Sequence, residues 1–249
     1  MKSICVIPAR YASTRLPGKP LRDICGKPMI SRVYERSSAS TAVSEVIVAT
    51  DDERIFKAVE ENSGKAIMTR ADHKTGTDRL AEVAEKFPDV DLIVNVQGDE
   101  PLIEGKLIDA LVAEFVNDET LQMATVATEL FDEAEMNNPN NVKVTFDSYN
   151  DALYFSRSLI PYPRNSGKAK VYKHIGIYAY RRDFLLEYAK MESTPLEQAE
   201  SLEQLRALEN GYKIRVIVSD CQFVGVDTEE DLKRVNEIYR EAGGKFEQN

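Results

Sequence analysis

The first half of the chain alternates short apolar runs with longer segments whose apolar residues recur at helical spacing. The apolar runs predict β-strands at residues 4–8, 46–50, 66–69, 92–96 and 123–127. The periodic segments predict helices at residues 29–39, 52–63, 77–87 and 104–115, with Asp51-Asp52 and Thr77 as candidate N-caps for the second and third of them. Short, strongly apolar strands separated by helices indicate a mostly parallel sheet covered on both faces, which is a doubly wound α/β core.

The pattern changes at a turn-forming cluster, Asn137-Asn138-Pro139-Asn140-Asn141. After this cluster the apolar runs predict strands at residues 142–146, 152–155, 171–180 and 214–218. Helical periodicity predicts helices at residues 182–189, 197–208 and 228–242. We interpret residues 1–249 as a single domain in which about 130–212 form an insertion packed over the core.

Charge narrows the classes of ligand. The chain of 249 residues has a net charge of −10, which argues against general nucleic-acid binding. Residues 1–36 hold eight Lys and Arg against Asp23 and Glu35, so this segment carries +6 and the remainder carries −16. A positive N-terminal segment on an acidic protein favours a small polyanion that binds locally.

Composition also predicts the compartment. The sequence lacks an apolar run of the roughly 20 residues that a membrane span needs, and its start is a poor match to a secretory signal. Cys5, Cys25 and Cys221 are scattered and have neither metal-site nor disulfide-framework spacing. We therefore expect a cytoplasmic protein without a membrane partner.

The first chemical motif is the loop directly after the first predicted strand, at residues 7–20. Arg10, Arg15 and Lys19 lie on this loop among small residues and prolines. A triphosphate requires such cations, together with backbone N–H groups that it can approach closely. The loop matches neither the Walker nor the dinucleotide-binding glycine pattern. A basic surface loop is the alternative, and charge spacing alone does not decide between the two.

Two further motifs follow other strands. Asp99 lies just past the strand at 92–96. A carboxylate at this position suits a hard, oxygen-coordinated cation that bridges to phosphates. The alternative is that Asp99 caps the helix near Glu104. Residues 69–79 place a Thr-Gly step before a helix N-terminus, which can offer N–H groups to a base or a phosphate. For Asp72 and His73 in this segment we prefer a helix-capping role.

Together these motifs resemble one family, the 3-deoxy-manno-octulosonate (Kdo) cytidylyltransferases, also called CMP-Kdo synthetases. The resemblance runs from Ile7 to about Arg234. It is carried, in order, by IPARYASTRLPGKPL, GKPMI, VATDDERI, MTRADHKTGTDR, IVNVQGDEP, NPNNVKV, ALYFSRSLIPYPR, YKHIGIYAY, LEQLRALENG and GVDTEEDL. It implies a nucleotide-diphospho-sugar transferase fold with a smaller dimerisation region, and hence a homodimer.

The resemblance implies the reaction CTP + Kdo → CMP-Kdo + pyrophosphate, which activates an acidic sugar for lipopolysaccharide biosynthesis. It implies Mg²⁺ as cofactor, with Asp99 and Asp227 as its ligands, although Asp227 taken alone would be interpreted as a helix cap. Arg10, Lys19, Asp99 and Asp227 form the implied catalytic set. The implied nucleotide-binding residues are Pro8, Ala9, Arg10, Arg15, Lys19, Arg70, Thr75, Gly76 and Gln97.

The implied sugar-binding residues are Arg157, Arg164, His174, Tyr178, Glu203 and Gln204. This mixture suits a sugar acid, because Arg binds a carboxylate while His, Glu and Gln bind hydroxyls. His174 and Tyr178 are four residues apart on one strand face, so they could line a pocket or merely pack together.

Three alternatives remain beside this hypothesis. The same reaction on 8-amino-Kdo would differ at one substituent far from the reacting centre. A CMP-sialate synthetase is more distant, because its loop lacks the STRLPGKP pattern. A non-catalytic nucleotide-sugar binding module should have lost the metal and phosphate ligands, whereas Arg10, Lys19, Asp99 and Asp227 are all present.

Overall fold

A computed structural model describes residues 1–13, 15–165, 169–221 and 223–243. The strands are β1 Ser3–Ala9, β2 Asp23–Ile24, β3 Lys27–Pro28, β4 Glu45–Thr50, β5 Ala66–Met68, β6 Leu92–Asn95, β7 Met123–Leu130, β8 Lys143–Phe146, β9 Ala152–Ser156, β10 Val171–Arg181 and β11 Ile214–Val218. The helices are α1 Met29–Ser37, α2 Glu53–Glu61, α3 Gly76–Lys86, α4 Gly105–Asn117, α5 Glu133–Asn137, α6 Arg182–Tyr188, α7 Pro195–Glu200, α8 Leu205–Glu209 and α9 Glu229–Glu241, with a 3₁₀ turn at Lys19–Leu21.

The main sheet is mostly parallel, as the sequence predicts. Its central strand order is β11-β7-β10-β6-β1-β4-β5. Strand β10 is antiparallel to both of its neighbours, β6 and β7, whereas β6, β1, β4 and β5 pair in parallel and β11 pairs with β7 in parallel. The carboxyl ends of the parallel strands therefore meet at one edge, which is where ligands bind in sheets of this kind.

Helices cover both faces of this sheet. Strand β1 shows the reason, because its side chains after Ser3 are apolar and successive ones point to opposite faces. Cys5 and Ile7 pack into one buried cluster with residues of α1, α2 and α4. Ile4 and Val6 pack into a second cluster with residues of α3 and α6. The doubly wound α/β prediction is confirmed.

The segment that we interpret as an insertion, about residues 130–212, includes one strand of the main sheet. Strand β10 falls within residues 130–212, yet it pairs along its length with β6 and β7 in the middle of the sheet. Strands β8 and β9 are the part that extends from the sheet, with β8 paired to β9 and to the start of β10. The chain leaves the core after β7 and returns to its centre through β10, so only part of the segment is an addition to the core.

The prediction of a single helix at residues 197–208 is wrong. Two short helices, α7 and α8, replace it, because Ser201 adopts a left-handed backbone conformation with φ 52° that ends α7. Thr77 does not cap α3 either. Thr75 is the N-cap, and it forms a reciprocal capping box with Asp78. Asp52 caps α2 as predicted.

Among the described residues, none of the helices is both long enough and apolar enough to cross a bilayer.

Candidate active site

A cavity of about 360 Å³ opens at the carboxyl edge of the sheet. It is bounded by the loop after β1, the segment after β6 and Asp227, which lies just before the N-cap of α9. Its lining residues are Pro8, Ala9, Arg10, Ala12, Ser13, Arg15, Lys19, Pro20, Gln97, Gly98, Asp99 and Asp227. Six residues of the predicted nucleotide-binding set and both predicted metal ligands are therefore brought together here.

Lys19 lines this cavity and contacts two of its carboxylates. Its Nζ donates to Asp99 Oδ2 at 2.6 Å and to Asp227 Oδ1 at 3.0 Å. Burial alone would lower the pKa of Lys19, but the two carboxylates outweigh that effect and raise the pKa above its ordinary value. Lys19 is therefore a fixed positive charge in the cavity.

The loop after β1 presents Lys19 through a tight turn. Gly18 precedes the 3₁₀ turn and adopts φ 65°, a left-handed conformation that glycine tolerates best. Pro20 then restricts the backbone φ at the second position of the turn. Arg15, on the same loop, pairs with Asp227 at 3.1 Å, so two cations face one carboxylate.

Asp99 and Asp227 converge although 128 positions separate them in the chain. The backbone N–H of Val226 donates to the carbonyl of Asp99 at 2.9 Å and joins the two segments. Thr228, rather than Asp227, caps α9 and forms a capping box with Asp231. Because α9 has its own cap, the Asp227 carboxylate is available to the cavity.

The floor of the cavity depends on close packing between the ends of β1 and β6. A Cβ atom on Gly98 would lie 3.0 Å from the carbonyl oxygen of Pro8, so a larger residue would push these backbones apart. The neighbouring Gln97 donates its Nε2 proton to the carbonyl of Gly176 at 2.8 Å. Gly176 lies in an irregularity of β10 between Ile175 and Tyr178, so Gln97 joins the cavity to that strand.

Arg10 holds the loop that leads into α3. Its guanidinium donates to the carbonyls of His73 at 2.6 Å and Thr75 at 3.1 Å. Gly76, the first residue of α3, lies close to Pro8, since its missing Cβ would be 4.0 Å from Pro8 Cγ. Gly76 thus lies near Pro8, which lines the cavity, and Arg10 both lines the cavity and anchors the segment that contains Thr75.

Arg70 lies elsewhere. It is 70% exposed and pairs with Asp72 at 3.3 Å. It lines a separate cavity of about 310 Å³ on the outer side of the same loop, so the structure does not bring it to the predicted nucleotide site. The capping role preferred for Asp72 and His73 is wrong, because Thr75 is the cap and His73 Nε2 instead bonds to Glu82 at 2.6 Å.

His174 and Tyr178 form the start of a second cluster, on β10. Their ring centroids are 5.4 Å apart. The hydroxyl of Thr125 donates its one proton to the carbonyl of Ile177 at 2.9 Å. His174 Nε2 lies 3.0 Å from the hydroxyl oxygen of Thr125. Because that hydroxyl has no second proton, we infer that Nε2 carries the ring proton and donates it to the Thr125 oxygen. Burial lowers the pKa of His174 to about 3, which keeps the ring neutral with Nδ1 as an acceptor.

Glu203 connects this cluster to α3. Its Oε2 accepts from the hydroxyl of Thr77 at 3.0 Å. Burial, and after it the charge of Glu203, raise the pKa of Tyr178. Burial raises the pKa of Glu203 despite the opposing hydrogen bond from Thr77 and the charge of Arg206. Gln204 is only 5% exposed, and within the described residues its Nε2 has no hydrogen-bond partner. These polar groups can form hydrogen bonds with the hydroxyls of a sugar.

Arg157 and Arg164, the two arginines predicted for the sugar site, make contacts away from His174 and Tyr178. The Arg157 guanidinium is engaged by backbone carbonyls, including that of Glu200 at 2.7 Å. Arg164 is exposed on the loop after β9, and its backbone N–H donates to the carbonyl of Tyr162 at 2.9 Å. Neither side chain is placed beside His174 by these contacts.

Sequence reasoning missed three residues. Thr77 bonds to Glu203, Lys143 is buried between Val142 and Val144, and Glu100 lies beside Asp99. Burial and the charge of Asp99 raise the pKa of Glu100 to about 8. Lys143 was detectable, since it follows the turn cluster inside an apolar run, whereas the contact of Thr77 depends on the tertiary fold.

A loop of cations and two converging carboxylates at the carboxyl edge of a doubly wound sheet are the features expected of a nucleotidyltransferase. A family model described as Cytidylyltransferase matches residues 4–214. The chain is 53% identical over 241 residues to a 3-deoxy-manno-octulosonate cytidylyltransferase of Fusobacterium nucleatum, covering 97% of this chain and 98% of the relative. The chain belongs to the 3-deoxy-manno-octulosonate cytidylyltransferase family.

Solved structures agree with this assignment. The structure of CMP:2-keto-3-deoxy-manno-octonic acid synthetase complexed with CTP is 50% identical, with a TM-score of 0.93 over 97% of this chain and 99% of that one. The 4-diphosphocytidyl-2C-methyl-D-erythritol synthase of Anaerococcus prevotii is 16% identical, with a TM-score of 0.64 over 96% of each chain. At that identity the second likeness concerns the fold alone.

Proposed function

We propose that the protein transfers the cytidylyl group of CTP to Kdo, giving CMP-Kdo and pyrophosphate for lipopolysaccharide biosynthesis. The observation that carries this proposal is the contact of Lys19 with Asp99 and Asp227 inside the cavity at the end of β1. Cations for a triphosphate and carboxylates for its metal meet there at one point. The names of the full-length relatives supply the sugar.

CTP occupies the cavity along the loop after β1. Lys19 and Arg15 leave their carboxylate partners and turn to the triphosphate, and Arg10 fixes the wall formed by residues 73–75. Gln97 and the start of α3 bound the nucleoside side of the cavity. Arg70 has no direct role in this proposal, because it faces the outer cavity.

The donor set fits a magnesium ion. Both carboxylates reach a single ammonium group, so their oxygens already converge on one point, and carboxylate oxygens are the ligands that Mg²⁺ prefers. Asp99 and Asp227 would hold the ion. When bound there, it would neutralise phosphate charge and orient the triphosphate.

The sugar enters between the CTP cavity and the cluster formed by His174, Tyr178, Glu203 and Gln204. His174 Nδ1 and the Glu203 carboxylate accept sugar hydroxyls, and Gln204 Nε2 donates to one. Gln97 and Gly176 join this cluster to the nucleotide cavity, so both substrates bind at one strand edge.

The protein contributes by positioning its substrates and by neutralising charge. The anomeric hydroxyl of Kdo attacks the α-phosphorus in line and loses its proton to solvent. The bond between the α-phosphorus and the oxygen that bridges to the β-phosphate breaks, and pyrophosphate leaves. Lys19 and Arg15 stabilise the negative charge that grows on the leaving group. The resulting reaction class is nucleotidyl transfer.

Two further properties belong to the proposal. Large exposed apolar side chains on the part of the chain after β7, namely Phe131 (83% exposed), Leu153 and Tyr162 (83%), support a homodimer through this region. Sedimentation velocity tests the homodimer, with a dimer expected and a monomer at micromolar concentration contradicting it.

Three free cysteines in the described structure are compatible with the reducing cytoplasm.

Equilibrium dialysis with CTP and Mg²⁺, followed by single-turnover pyrophosphate release on adding Kdo, separates an enzyme from a binding module. We expect CTP binding and a burst of pyrophosphate that depends on Kdo. Tight CTP binding without release would contradict the proposed activity.

A further inference from the structure

Lys143 is a buried cation whose side chain is 0% exposed. Its Nζ donates to three backbone carbonyls, those of Asn138 at 3.0 Å, Asn141 at 2.6 Å and Arg157 at 2.6 Å. An ammonium group has three protons, so its hydrogen-bonding capacity is filled. Lys143 therefore ties the turn before β8 to the residue that follows β9.

Arg157 extends this connection to the end of α7. Its Nε donates to the carbonyl of Glu200 at 2.7 Å and its Nη1 to the carbonyl of Pro139 at 3.2 Å, while its Nη2 lies 3.4 Å from the carbonyl of Ser201. The Glu200 carboxylate accepts in return from the Arg157 N–H at 2.9 Å and from the Ser156 hydroxyl at 2.6 Å.

This network ends where the sugar cluster begins. Ser201 adopts the left-handed conformation that stops α7, and residues 201–204 connect α7 to α8. Glu203, in this connection, bonds to Thr77. The next residue, Gln204, has a buried Nε2 without a hydrogen-bond partner in the described part of the chain. The direction of the connection, and hence the placement of both side chains, depends on the contacts that hold Glu200 and Ser201.

We infer that Lys143 is a positioning residue for the sugar site, acting through Arg157 and Glu200 to fix the turn that presents Glu203 and Gln204. The inference rests on the proposed function for the identity of the sugar, and it gives Arg157 a role different from direct carboxylate binding. The bonded guanidinium nitrogens of Arg157 face carbonyls, and Lys143 is enclosed, so neither cation needs to touch the substrate.

The test compares Lys143→Met with a matched control, Arg181→Met. Arg181 is also a cation bound to backbone carbonyls, those of Phe115 at 2.9 Å and Leu121 at 3.2 Å, but it lies at the opposite edge of the sheet. We expect Lys143→Met to raise the KM for Kdo about tenfold while the KM for CTP changes less than about twofold, the pattern of lost sugar binding. Arg181→Met should lower the melting temperature and leave both KM values unchanged.

The KM of a second variant and amide hydrogen exchange test the positioning role of Lys143 independently. Glu200→Gln retains the fold but loses one of two acceptor oxygens, so its KM for Kdo should rise by a smaller factor. Amide hydrogen exchange of residues 200–204 should be faster in Lys143→Met than in the wild type and the Arg181→Met control, and this readout needs no activity. If wild-type protein does not turn over Kdo, the proposed function fails while the exchange result still decides the positioning role.

Equal KM changes in Lys143→Met and Arg181→Met would overturn the inference, as would unchanged exchange at 200–204. If Lys143→Met does not fold, Glu200→Gln decides, and an unchanged KM for Kdo in that variant counts against the positioning role.

Discussion

At the scale of single residues, the site is organised by charges held close together in a partly closed space. Lys19 keeps Asp99 and Asp227 from repelling each other, and its raised pKa reflects the same attraction. The three side chains come from three distant parts of the chain, so each carboxylate depends on the fold for its partner. Removing one carboxylate leaves the ammonium paired with the other.

Asp227→Asn should lower kcat by about a hundredfold or more, because it removes a metal-binding oxygen while Lys19 retains Asp99. Steady-state pyrophosphate release over a magnesium titration measures this, and the variant should require more Mg²⁺. Glu229→Gln, two residues away on the surface, is the matched control and should keep near-normal turnover. A normal kcat for Asp227→Asn at saturating Mg²⁺ would remove the metal assignment.

His174 should make the protein sensitive to acid. Its native pKa of about 3 lies below the ordinary value of 6.5, so between these values the unfolded chain binds a proton that the folded protein does not. Stability is therefore lost as the pH falls through this window. Between pH 7 and pH 5 this amounts to about 2 kcal/mol of unfolding free energy.

Urea unfolding of the wild type and of His174→Gln at both pH values measures this contribution. The stability advantage of the wild type should shrink by about 2 kcal/mol at the lower pH. His73 is present in both proteins, so the comparison isolates the contribution of His174. An advantage that does not change with pH would show that His174 is not buried as a neutral ring.

At the scale of elements, the close approach of β1 and β6 sets the cavity floor. Gly98→Ala places a Cβ 3.0 Å from the Pro8 carbonyl oxygen, which the backbone can relieve only by shifting. We expect a loss of about 1–3 kcal/mol in stability and a raised KM for CTP. Thermal unfolding and steady-state kinetics measure both effects.

Gly176→Ala is the control for this prediction, because its Cβ would meet Gln97 Cγ at an ordinary 3.8 Å. Equal effects of the two substitutions would mean that the close contact at Gly98 does not set the cavity floor.

Most elements of this fold were predictable, because apolar runs and helical periodicity are local properties of the chain. The errors arose where tertiary contacts decide. The single helix predicted at 197–208 is divided at Ser201, next to Glu200, whose carbonyl and carboxylate are held by Arg157. Thr75 replaces Thr77 as the cap of α3, since Asp78 completes its capping box and Thr77 turns to Glu203.

At the scale of the whole molecule, the topology explains why the site was only partly predictable. An apolar strand pattern does not indicate whether a strand lies at an edge or in the centre, so the central position of β10 was missed. The loop after β1 and Asp99 could be identified from their positions after strands, whereas Asp227 required the family resemblance. The family resemblance implied Arg157 as a sugar-binding residue, and the structure shows its guanidinium bound to backbone carbonyls.

The central claim is that this fold joins CTP to an eight-carbon sugar acid. The most direct test measures pyrophosphate release with CTP and Mg²⁺, comparing Kdo, 8-amino-Kdo and sialic acid in parallel. We predict rapid release with Kdo and much slower release with the other two sugars. A strong preference for 8-amino-Kdo or sialic acid would contradict the proposed substrate, and release with none of the three would contradict the activity itself.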